Sequence, residues 1–349
     1  SWANPEMLDQ VIGYGMEGNI VKRYTENDEI LSTFTEANPA YKACILTGVR
    51  GSGKTVSMTI IANEMRKKSN WLVVDLSPEQ DLLHALAAEL SGRKELLQIL
   101  KAASISVSLM GVIGLELDSG SAVTDTNVVL DHILANLTKA GKKILVTIDE
   151  VHSNNNIREF ISQYQIYLRK NYNIFLLMTG LYENIYELQN EKSLTFLYRA
   201  PKVEMQPLSI PMIMKQYKEI FKLSEIEAIK MAKMTNGYPY AFQVLGFLCF
   251  KYSLPYEEVL DEFDAYLEEY VYEKIWSELS GKDKQVAAAI CNANSSKVDS
   301  IRKSVGMDSN LFNVYRKRLM KKGIVRAPEY GCLEFSLPRF KEFVIRSMI

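Results

Sequence analysis

Eight residues restrict the fold of this chain more than any others: Gly48-Val49-Arg50-Gly51-Ser52-Gly53-Lys54-Thr55, set between an apolar β-prone run and a helical one. They match the pattern GxxxxGK[ST], and the flanks, Ala43 to Thr47 and Val56 to Lys68, supply the strand and the helix that this pattern needs on either side. The glycines let successive backbone N–H groups turn inward as an anion nest, and the helix start adds its positive dipole end. Such a strand–loop–helix unit commits the chain to a sheet covered by helices.

Further apolar runs at Trp71 to Leu76, Lys143 to Ile148 and Asn173 to Thr179 alternate with helical patterns. The expected fold is α/β, a doubly wound parallel sheet of the P-loop NTPase kind, over residues 1–205. Alternation through Ser104 to Leu117 predicts a β-hairpin insertion or an edge extension of the sheet. A small all-α lid domain is expected over 206–280 and a winged-helix domain over 281–349.

The chemistry is that of phosphate and magnesium. Lys54 is placed to reach the β- and γ-phosphates, and Thr55 to give magnesium a hydroxyl. Gly48, Arg50, Gly51, Ser52, Gly53 and Val56 form the rest of the phosphate cradle. The strand Ile144 to Ile148 delivers Asp149 and Glu150 at its C-terminal end, the first suited to hold magnesium through its water shell, the second to polarise an attacking water. ATP or ADP with magnesium is therefore the expected ligand, and hydrolysis the expected reaction.

Charge divides the chain unevenly. Residues 281–349 carry 14 Lys and Arg against 6 Asp and Glu, although the whole chain has a net charge of −1. Helices are expected at Lys282 to Asn292, Val298 to Val305 and Ser309 to Lys322, then strands at Ile324 to Arg326 and Leu333 to Leu337, which is winged-helix order. Arg316, Lys317, Arg318, Lys321, Lys322 and Arg326 are candidates for duplex DNA, with Asn310, Asn313 and Tyr315 beside them. Leu311, Phe312, Val314, Leu319 and Met320 are expected to form the buried face. A protein-binding or purely structural role remains the alternative. Just before this module, Glu257 to Glu278 holds nine acids against Lys274 and reads as a solvated helix face.

These segments together resemble the AAA-type ATPases of bacteria, in particular the origin-recognition-like ATPases with a C-terminal winged helix. Leu46 to Thr55 and Ile148-Asp149-Glu150-Val151-His152 carry the likeness most strongly, with Leu194 to Ala200 and Tyr315 to Leu319 behind them. The resemblance implies that Thr179 senses the γ-phosphate or the attacking water. It places Arg199 where such sequences carry an arginine finger acting on a neighbouring subunit, which would imply a nucleotide-dependent homo-oligomer; an ion pair within the chain is the alternative. Arg23 falls in the segment that lies near the adenine, although Lys22-Arg23 departs from the usual Gly-Arg. Thr235-Asn236-Gly237-Tyr238-Pro239-Tyr240 resembles the GxP signature of the signal-transducing STAND branch, whose proline, here Pro239, packs beside the nucleotide. Tyr240-Ala241-Phe242 supplies no arginine sensor, which implies slow turnover with retained ADP. Two readings stay open: an ATP-driven switch acting on DNA, and an ADP-holding signalling switch with a protein partner.

Cys44, Cys249, Cys291 and Cys332 show no metal-ligand spacing and are expected to be reduced. Ser1 to Pro5 does not read as a signal peptide, and the uncharged run Ala102 to Leu115 is shorter than the roughly 20 residues of a membrane span. The expected location is cytoplasmic.

Overall fold

The computed structural model describes residues 24–102 and 122–349. The Arg23 position and the hairpin expected at 104–117 lie outside the described residues. Two compact units emerge, one from 24–47 and 54–204, the other from 48–53 and 205–349.

The first unit runs α1 (Tyr24–Thr35), β1 (Ala43–Thr47), α2 (Lys54–Arg66), β2 (Trp71–Leu76), α3 (Leu82–Ser91), α4 (Leu97–Ala102), α5 (Ala122–Lys139), β3 (Lys143–Ile148), α6 (Asn155–Arg169), β4 (Ile174–Gly180), α7 (Tyr182–Gln189), α8 (Phe196–Arg199) and β5 (Lys202–Glu204). Its strands form one sheet in the order β2-β3-β4-β1-β5, every neighbouring pair parallel. All of β1 and β4 is buried, as expected where helices cover both faces of a parallel sheet. Four of the five strands stand out as apolar runs. β5 does not, because a three-residue edge strand with Lys202 and Glu204 exposed has no apolar pattern to read. Tyr164 of α6 is fully buried, and its hydroxyl lies 3.1 Å from the carbonyls of both Lys42 and Ile174, so the one polar atom of a large apolar side chain is satisfied.

The parallel register sets the site. It pairs Leu46 with Thr179, Thr47 with Gly180, and Ile148 with Met178. The C-terminal ends of β1, β3 and β4 therefore finish level with one another, and the residues that follow them share one edge of the sheet.

The second unit contains the glycine loop, Gly48 to Gly53, with α9 (Ile210–Phe221), α10 (Glu225–Met234), α11 (Pro239–Tyr252), α12 (Leu260–Leu267), a π-helical turn (Glu268–Tyr272), α13 (Glu273–Ser277), α14 (Gly281–Asn292), α15 (Val298–Val305), α16 (Ser309–Lys321), the antiparallel pair β6 (Val325–Arg326) and β7 (Glu334–Phe335), and α17 (Phe340–Ser347). One apolar core runs from Leu208 to Val344 across these elements. Tyr272 meets Phe340 edge to face at 5.0 Å, and Arg339 clasps Asp264 through two bonds of 2.5 and 2.6 Å.

Several expectations need correction here. The acidic stretch is helical from Leu260 through the π-turn to Ser277, with Glu257, Glu258, Asp261, Glu262, Glu269 and Glu273 exposed, as a solvated face would be, but Asp264, Glu268 and Glu278 pair with Arg339, Arg346 and Arg50. On α16, Phe312 and Leu319 are buried as expected, but Val314 is 60% exposed, because at 100° per residue it stands well round the helix from Phe312. Lys322 is not a surface cation. It is buried beside Asp283, at 3.7 Å, and Arg318 reaches the same carboxylate at 3.4 Å. Arg326 bonds Glu334 at 2.8 Å and the Asn236 side chain at 3.0 Å. What α16 leaves to solvent is Asn310, Asn313, Val314, Lys317 and Lys321, with Arg318 partly turned towards Asp283.

Candidate functional site

In the first unit, the residue after β3 is the centre of a compact polar group. One oxygen of the Asp149 carboxylate accepts from the Thr55 hydroxyl at 2.8 Å, and the other accepts from the hydroxyl of Thr179. Thr55 is there because α2 opens at Lys54, and Thr179 because β4 runs alongside β3. The Thr179 hydroxyl also accepts the Glu150 N–H at 2.9 Å, and its carbonyl accepts the Val151 N–H at 2.9 Å. Thr179 is fully buried, while Thr55 and Glu150 are exposed.

These bonds hold Glu150 in an unusual backbone. Its φ is +54°, in the left-handed region that costs a side-chain-bearing residue about 1–2 kcal/mol. The chain bends there, and Glu150 is exposed beside Asp149 in the sequence. Strain at such a position is maintained only when the surroundings over-determine it, and Thr179 binds both Glu150 and Val151.

Lys54, at the first position of α2, is buried, and Val56 two residues on is half-buried. Arg199 ends α8 as an exposed side chain beside Tyr198, which is 69% exposed. His152 bonds its ring nitrogens to the Glu150 carbonyl and the Glu79 carboxylate, as a loop residue would.

In the second unit, Gly51 and Gly53 of the loop have φ of +77° and +90°, which only glycine adopts without strain, and the Ser52 N–H closes a turn on the Val49 carbonyl at 3.1 Å. The Arg50 side chain lies on Glu278, with Nη2 to Oε1 at 2.6 Å and Nε to Oε2 at 3.4 Å. The Tyr238 hydroxyl donates to the Arg50 carbonyl, and the Tyr240 N–H donates to the Gly51 carbonyl at 3.1 Å. Pro239 occupies the first turn of α11, half-buried, where its missing N–H costs nothing. The sequence reading missed Tyr238, Tyr240 and Glu278 as partners of the loop. The two tyrosines flank Pro239 in the motif and could have been found there; nothing marks Glu278 among its acidic neighbours.

Among the described residues, no helix is long and apolar enough to cross a membrane. A family model described as an AAA domain matches residues 40–214, half of the chain, and a second model, described as a domain of unknown function, matches residues 269–344. No curated protein matches. Among solved structures, a Walker-type ATPase of Pyrococcus abyssi superposes with a TM-score of 0.60 at 15% identity, covering 98% of this chain and 97% of that one. The ORC2 protein of Aeropyrum pernix, solved in ADPNP–ADP complexes, gives a TM-score of 0.57 at 11% identity, covering 95% and 96%. Likeness at these identities speaks for the fold: a P-loop, AAA-like α/β sheet followed by a helical C-terminal region. With its strand order, its glycine loop and a family match that spans both, the chain belongs to the AAA domain family.

Proposed function

We propose that this chain is a magnesium- and ATP-dependent switch that hydrolyses ATP slowly, and whose nucleotide state governs a C-terminal winged helix that binds duplex DNA. The observation that carries the reading is the Asp149 carboxylate, with the Thr55 hydroxyl on one oxygen and the Thr179 hydroxyl on the other. Oxygen donors gathered beyond the C-terminal ends of parallel strands suit magnesium, which takes one or two protein oxygens and otherwise waters and phosphate oxygens. Thr55 and Asp149 would hold the ion, and a bound magnesium would neutralise charge on the β- and γ-phosphates.

The remaining roles fall to the chain's own groups. Lys54 places its ammonium on the same phosphates, while the amides of Gly48, Gly51, Ser52 and Gly53 cradle them. Glu150 orients the attacking water and takes up its proton, and Thr179 fixes the Glu150 backbone while sensing the γ-phosphate through Asp149. Arg199, exposed at the end of α8, serves the nucleotide of a second copy in a nucleotide-dependent homo-oligomer. For DNA, Lys317 and Lys321 supply the phosphate attraction, with Asn310 and Asn313 on the same face.

ATP turnover and DNA affinity, each measured with and without the other ligand over a salt series, test the reading together with Lys54→Ala and Glu150→Gln. The switch fails if DNA affinity ignores nucleotide and turnover ignores DNA. The whole reading fails if folded protein takes up no adenine nucleotide in the presence of magnesium.

One observation favours the second reading, an ADP-holding signalling switch with a protein partner. Helix α11, which begins at Pro239, contains no arginine and no cation before Lys251 near its far end, so it offers the γ-phosphate no sensor. Retained ADP in gently purified protein, seen by native mass spectrometry together with negligible turnover, would favour this reading over the first.

A further inference from the structure

Three contacts converge on two neighbouring residues of the glycine loop, all from residues far along the chain. The buried Tyr238 hydroxyl donates to the Arg50 carbonyl, the Tyr240 N–H donates to the Gly51 carbonyl at 3.1 Å, and Glu278 clasps the Arg50 guanidinium at 2.6 and 3.4 Å. Arg50 is thus fixed by its main chain and by its side chain. In a trans peptide the carbonyl and the following N–H point to opposite sides. A carbonyl pinned at Arg50 therefore turns the Gly51 N–H the other way, as an anion nest requires.

The packing leaves little room for another arrangement. A Cβ at Gly51 would come within 2.9 Å of the Tyr240 Cβ, and one at Gly323, just past α16, within 3.2 Å of the Val49 Cβ. The loop is held by the turn before α11, by the residue after α13 and by the end of α16.

We propose that Tyr238 and Glu278 are positioning residues that regulate the nucleotide site, holding the Gly48–Gly53 loop ready for phosphate from the C-terminal part of the chain. The inference rests on the reading of this loop as the nucleotide-binding loop. Neither side chain needs to touch nucleotide; each acts by removing alternative loop conformations that binding would otherwise have to order, which raises affinity. Glu278 acts through Arg50, and Tyr238 through the peptide that follows it.

The test is the affinity of the full chain for magnesium-ADP by calorimetry, in the wild type, Tyr238→Phe, Glu278→Gln, Arg50→Ala and the double variant Arg50→Ala/Glu278→Gln. Tyr238→Phe and Glu278→Gln are each expected to weaken binding about fivefold, the loss of one hydrogen bond, and Glu278→Gln, whose ion pair is a third exposed, is expected to leave the nucleotide-free melting temperature unchanged. In the Arg50→Ala background, Glu278→Gln is expected to add nothing, since the two residues act as one unit. Glu278 is a third exposed, so its variant folds and decides the matter even where Tyr238→Phe does not. Unchanged affinity in Glu278→Gln, tighter binding, or losses that add in the double variant would overturn the inference and leave nucleotide binding intact. A wild type that takes up no magnesium-ADP would remove both.

Discussion

The Thr179 hydroxyl donates to the Asp149 carboxylate and at the same time accepts the Glu150 N–H at 2.9 Å. One buried side chain thereby ties together the two acids proposed for metal and water. It stands there because β3 and β4 are adjacent and in parallel register, so the last polar residue of one strand meets the first residues beyond the other.

Replacing Thr179 by Val keeps its shape and removes both bonds. The Glu150 N–H then loses its partner, so stability should fall by about 1–3 kcal/mol. Turnover should fall much further, by about 10²-fold, while nucleotide affinity changes little, because Lys54 and the loop amides are untouched. Thr179→Ser should restore most of both. Phosphate release and denaturant unfolding measure the two effects; a valine variant with normal turnover would show that Thr179 is only a strand residue.

Glu150 at φ +54° predicts a trade of stability against activity. Glycine at this position relieves the left-handed backbone but adds freedom to the unfolded chain, so Glu150→Gly should be more stable by roughly 0.5–1 kcal/mol. It should also lose hydrolysis, as Glu150→Gln should without the stability gain. Urea unfolding of the two variants separates the backbone contribution from that of the carboxylate.

Much of this was legible beforehand, and what was not has physical causes. The glycine loop and the acid-ended strand carry their patterns in consecutive residues, so Thr55, Asp149 and Glu150 could be named from spacing alone. The order β2-β3-β4-β1-β5 could not, because strand adjacency is a long-range property. Arg50 reads as part of the phosphate cradle from its place in the motif, and nothing in the sequence marks the carboxylate 228 residues later that holds its side chain. On α16 the error was in periodicity: Phe312, Leu319 and Lys322 fall on one face at helical spacing, and the charge of Lys322 hid that position. A basic segment that buries an acid at Asp283 will bury a cation to match.

The thiols should respond to pH in a defined order. Burial pushes Cys44 and Cys249 up to about 12, and Cys291 to about 11. The thiolate is the reactive form, so near pH 8 only about one Cys291 in 10³ is ionised, and about tenfold fewer of the other two. Cys291 is also half-exposed, whereas Cys44 and Cys249 are buried. Of these three, Cys291 should be alkylated first by iodoacetamide in the native protein, roughly tenfold faster per pH unit between 8 and 10. Cys44 should react only on unfolding. Peptide mass spectrometry after timed labelling checks the order.

Two neighbouring lysines at the end of α16 should behave oppositely. Lys322 is buried against Asp283, which also caps α14 through the Ser280 N–H at 3.0 Å. Lys322→Ala leaves that buried carboxylate with Arg318 at 3.4 Å, so stability should fall by about 3 kcal/mol. Lys321 is exposed, and Lys321→Ala should change stability by no more than about 0.5 kcal/mol. If α16 meets duplex DNA, Lys321→Ala and Lys317→Ala should each lower the salt dependence of binding by about one ion, whereas a folded Lys322→Met should leave it unchanged. Fluorescence anisotropy over a salt series reads the slopes, and thermal unfolding reads the stabilities. A Lys322 variant that loses a DNA contact without losing stability would show that the buried pair with Asp283 is not what holds this lysine.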